Sequence, residues 1–96
     1  MSERTAPALA KIDELLPILR ARAAGKDNER ILEETDALRR AVAAFHMEAI
    51  RFRMHNVDRL LRTHADVFPP LSLQVFEELR SALEAAGFHT RSREAP

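Results

Sequence analysis

An all-α fold follows from three features of this 96-residue chain. Only two glycines stand against sixteen alanines, apolar residues recur at helical spacing over most of the length, and neither glycine nor proline occurs between Lys26 and Phe68. The spacing predicts three helices, at about 7–24, 28–65 and 73–86. The middle one is a long spine, on which the outer two fold back antiparallel through short connections. The expected architecture is an elongated three-helix unit, single-domain over 1–96, that assembles with a second copy into an intermolecular helical bundle.

Each element has its local reasons. Pro7 suits a first helical turn, and Leu9, Ile12, Leu16, Leu19 and Ala23 repeat at spacings of three and four. Pro17, inside that run, removes the hydrogen bond to the Asp13 carbonyl and predicts a kink, and Gly25 is the expected stop. Asp27 is the expected N-cap of the second helix, with Glu29, Glu33 and Glu34 placing negative charge near its positive end. Phe68-Pro69-Pro70 ends that helix, because a residue before proline is pushed out of the α region. Ser72 is the expected cap of the third, with Leu71 stapling onto Phe76. Gly87 followed by Phe88 predicts a left-handed ending that returns onto Leu83. Residues 89–96 show no periodicity and read as a flexible tail.

The middle of the spine carries two apolar stripes instead of one. Phe45, Ala49 and Phe52 share one face, while Ile50 and Met54, with Met47, share another about 140° away. Arg39, His46 and Arg53, spaced by seven, run between them. Two stripes imply two packing partners, one of them from another chain. Phe45, Ala49, Ile50, Phe52 and Met54 are therefore the expected interface. Arg39, His46 and Arg53 form a cationic seam that either accepts an anionic ligand or a partner's carboxylate, or is closed within the chain by Asp13 on Arg39 and Glu84 on Arg53.

Composition limits the chemistry. Without cysteine there is no disulfide framework, thiolate nucleophile or iron–sulfur ligand. His55 and Asp58 are hemmed in by Arg51, Arg59 and Arg62, which argues against a bound cation, and the Glu-x-x-His pattern of di-iron bundles does not occur. Neither histidine pattern of phosphotransfer bundles surrounds His46, His55 or His64. Fifteen basic and fifteen acidic residues balance. The basic excess of the middle third is too mild for a nucleic-acid surface and fits complementarity between helices. No apolar run reaches the ~18 residues of a spanning helix, and acidic residues lie where a signal peptide would be apolar. The expectation is a cytoplasmic protein, with the thirteen arginines against two lysines suggesting a bacterial genome. Its expected role is a helical protein–protein interaction or adaptor module that acts as a homodimer, without catalysis, metal, cofactor, nucleic acid or membrane. Binding of a small anionic ligand in the Arg39/His46/Arg53 seam is the alternative.

Overall fold

The computed structural model describes residues 4–22, 26–88 and 90. Four helices lie among the described residues: α1 (Ala6–Arg20), α2 (Lys26–Ala43), α3 (Met47–Thr63) and α4 (Pro70–Ala85). They run up and down, α1 packing against both α2 and α4, α2 against α3, with α3 and α4 meeting over the thinnest edge. The molecule measures 33 × 31 × 20 Å with a radius of gyration of 12.5 Å, close to the ~13 Å of a compact 100-residue domain. The expected elongated shape is thereby corrected.

The cause of that correction is a break in the predicted spine. Residues 44–46 leave the helix, so the expected helix 28–65 is two helices, α2 and α3. The reason lies in the two stripes. On a straight helix the buried set Ile31, Leu38 and Val42 points about 100° away from the set Ile50, Met54, Val57 and Leu61. A break between them turns both sets into one core, in which Ile31, Leu38, Val42, Ile50, Met54 and Val57 are all 0 % exposed. The second partner inferred for the spine is thus the chain itself.

The break is built without glycine. The Phe45 N–H donates to the Val42 carbonyl (3.1 Å) and the His46 N–H to the Ala41 carbonyl (3.0 Å), the paired bonds of a Schellman ending. Phe45 occupies the left-handed position at φ +59°. A side chain there costs roughly 1–2 kcal/mol. Burying Ile50 and Met54 recovers roughly 1.5–3 kcal/mol each, so packing outweighs local strain. His46 then caps α3, its Nδ1 accepting from the Ala49 N–H at 3.2 Å.

The other ends follow simpler rules. Pro17 lies on the exposed side of α1, which continues through it as one helix. Asp27 falls inside α2, not before it, and Gly25 lies outside the described residues. Pro69, not Ser72, caps α4. Ser72 sits a turn inside, donating its hydroxyl to the Pro69 carbonyl at 2.6 Å, and Leu71 stays half exposed instead of stapling. Gly87 takes φ +98°, and the Phe88 N–H returns to the Leu83 carbonyl at 2.9 Å. Arg4 bonds the Ala86 carbonyl, tying the start of α1 to the end of α4. Thr90, within the stretch expected to be a flexible tail, is buried and bonded to Arg80 and Glu84; residues 89 and 91–96 lie outside the described residues.

Candidate interaction surface

Three large apolar side chains remain exposed at and just beyond the α2/α3 turn: Phe45 at 40 %, Met47 at 38 % and Phe52 at 56 %. Helix period places Phe52 on the side of α3 opposite Ile50 and Met54, and the turn throws Phe45 outward. The Phe45 ring lies 5.6 Å from Phe88 at a tilt of 43°, with the Arg4 guanidinium 5.8 Å from its centroid. The Phe52 ring carries the Arg53 guanidinium at 5.2 Å. Both rings therefore have a cation on one side. Of the five residues expected at an interface, Phe45 and Phe52 are exposed and Ala49 is half buried, whereas Ile50 and Met54 are interior. In the closed monomer the last two face the core.

The cationic seam divides among different neighbours. Arg39 reaches back to α1, its Nε and Nη2 donating to the two carboxylate oxygens of Asp13 at 2.8 and 3.1 Å. That fork holds the Asp13 carboxyl below the usual carboxylate range and raises the Arg39 guanidinium further. Arg53 turns to α2, where its Nη1 donates to both oxygens of Glu34 at 3.0 Å and Asn56 donates to the same carboxylate at 3.1 Å. The predicted Arg53–Glu84 pair is corrected by this geometry. With the spine broken, α3 lies along α2 and faces Glu34, and Glu84 instead accepts from Thr90. His46 is spent on the α3 cap. No hydrogen bond or ion pair joins any two of Arg39, His46 and Arg53.

Sequence reasoning overlooked Arg80. The residue is 4 % exposed, and its side chain donates to Glu77 (3.2 Å) and to the carbonyl and hydroxyl of Thr90 (3.1 Å each), with Asp58 at 3.6 Å and the Phe76 ring at 5.2 Å. Arg62 joins the same cluster through Asp58 (2.7 Å) and Glu77 (3.5 Å). These charges bridge α3 and α4 where apolar contact is thinnest. The signal was present in the spacing, since Arg80 follows Phe76 by four and precedes Leu83 by three on the buried face of α4.

Elsewhere α1 and α2 flank a shallow groove of about 490 Å³, lined by Leu9, Ala10, Ala43 and the Asp13–Arg39 pair, and a smaller one of about 260 Å³ beside Leu16 and Leu32. Among the described residues no three His, Asp or Glu side chains gather as a metal site, and no helix is long and apolar enough to cross a membrane. Lys11 pairs with Glu78 of α4 at 2.9 Å and with Glu14 at 3.3 Å, which raises the ammonium and lowers the Glu78 carboxyl. No protein-family model, curated protein or solved structure matches the chain.

Proposed function

We propose that the protein is a helical interaction module that acts in the cytoplasm as a homodimer, with no catalysis of its own. The observation that carries this reading is the exposure of Phe45, Met47 and Phe52 beside the α2/α3 turn. Large apolar side chains grouped on a small domain mark an association surface more often than a solvated one. A second copy is the occupant that fits, because Phe45, Ala49 and Phe52 form a self-complementary set: large, small, large, spaced by four and three. Two such sets facing each other antiparallel seat each ring beside the other copy's opposite ring across the small alanine.

A small anion in the Arg39/His46/Arg53 seam has less behind it. The ligand would have to displace Asp13 from its fork on Arg39 and Glu34 from the Arg53 nitrogen that reaches both its oxygens.

Light scattering coupled to size exclusion tests the reading over about 1–500 µM. The expected result is a dimer mass at the upper end that Phe52→Ala converts to a monomer mass without loss of helical circular dichroism. A monomer throughout the range would defeat it.

A further inference from the structure

The α2/α3 turn sets local preference against the global fold. From Lys26 to Phe68 the sequence holds no glycine or proline, and the residues around the break, Val42-Ala43-Ala44-Phe45-His46-Met47-Glu48-Ala49, contain three alanines, a methionine and a glutamate among good helix formers. The chain nevertheless breaks there, with a phenylalanine at φ +59° where glycine is the usual occupant. Besides the two Schellman bonds, the turn is held by an exposed imidazole accepting at 3.2 Å. Short strained hinges of this kind invite exchange of elements between copies.

We propose that the protein dimerises by exchanging α3 and α4 through this hinge, α2 and α3 becoming one continuous helix from Lys26 to Thr63, about 57 Å long. The proposal rests on the self-association read above and specifies its route. The core is rebuilt, not lost, because α3 of one copy packs on α2 of the other and α4 on the other α1. The Arg53–Glu34 and Lys11–Glu78 pairs re-form between copies. Phe45 leaves the left-handed region, and the helix gains the bonds that the turn omits. Straightening also aligns Phe45, Ala49 and Phe52 on one stripe at the centre of the long helix, where the two copies cross. Phe45 and Phe52, exposed in the monomer, are the side chains the crossing covers.

The absence of cysteine makes the test direct. Arg30 and Arg59 are both exposed, and the Glu34 contacts with Arg53 and Asn56 place them opposite one another, one turn further from the break. A spin label on each, in the Arg30→Cys/Arg59→Cys variant, reports the hinge. With the turn closed the labelled backbones lie roughly 10–15 Å apart. On a continuous helix they lie about 44 Å apart. The labelled chain is unfolded, mixed with a tenfold excess of unlabelled protein so that only intrachain distances register, refolded at several hundred micromolar, and separated into monomer and dimer.

The expected dimer fraction shows the long distance and the monomer the short one. His46→Ala removes the α3 cap and favours the continuous helix, so it raises the dimer population, between about twofold and thirtyfold per copy. Phe45→Gly relieves the strained turn and weakens the long helix, lowering the dimer by about 25-fold per copy. A dimer that keeps the short distance overturns the exchange while leaving self-association standing. Failure of wild type and His46→Ala alike to dimerise at any concentration removes both.

Discussion

Replacing Arg80 separates its packing from its charge. The guanidinium holds two carboxylates, a backbone carbonyl and a hydroxyl, and its stem lies on Phe76. Arg80→Met keeps most of the stem volume and removes the donors. Asp58 and Glu77 still have Arg62, and the Thr90 hydroxyl still donates to Glu84, so the Thr90 carbonyl is the group left without a partner. One buried acceptor without a donor costs about 1–3 kcal/mol. Arg80→Ala adds a cavity against Phe76 to that unmet acceptor, about 3–5 kcal/mol together. For a domain of this size each kcal/mol corresponds to about 4–8 °C in Tm. The methionine variant should melt several degrees low and the alanine variant more than about 12 °C low. Urea unfolding followed by circular dichroism gives both values, with the m-value confirming a common unfolded state. An alanine variant within about 1 kcal/mol of wild type would show that Arg80 is solvated in the native protein, and the account of the α3/α4 edge would fail.

Three further outcomes follow from the same structure. Ile50→Ala and Met54→Ala, at positions with no exposure, should each lose about 2–5 kcal/mol in urea unfolding. Phe52→Ala should change monomer stability by less than about 1 kcal/mol and act on association instead; similar losses at all three positions would contradict the assigned faces. Because Arg39 holds the Asp13 carboxyl below its unfolded value, the pair contributes stability above the unfolded pKa of about 3.9 that is lost as pH falls through the lower folded value. Arg39→Met should flatten this acid limb between about pH 5 and 2. With both side chains 40 % or more exposed, the effect should stay under about 1 kcal/mol and shrink in salt. Glu78 shifts the same way under Lys11, so Lys11→Met should alter the limb independently, which additivity of the two variants checks.

The way the sequence misled at the α2/α3 break shows where legibility stopped. The helix period at each position was readable, including the two stripes about 140° apart, but period alone gives the direction of a face and not the object it faces. Two stripes on one straight helix and two helices folded on one core have the same pattern. Glycine and proline normally decide between them, and here neither stands at the break. A straight spine leaves only the last helix, with Glu84, within reach of Arg53; once α3 folds along α2, Glu34 is nearer. Arg80 is not legible from its own helix, because its partners Asp58 and Thr90 lie on other elements.

By itself the sequence determined what depends on neighbours within a turn or two. Helical content came from alanine and the scarcity of glycine, the interruption before α4 from Pro69-Pro70, the end of α4 from Gly87 at φ +98°, and the Asp13–Arg39 contact from the short α1/α2 connection. Tertiary structure alone decided where a uniformly helical stretch would break, which apolar residues became core, and which carboxylate each arginine met. The physical reason is one of magnitude. Holding Phe45 in the left-handed region costs about 1–2 kcal/mol, within the range of local preference, whereas closing Ile50, Met54, Val57 and Leu61 onto α2 recovers several times that, and the recovery exists only when distant residues are already in place.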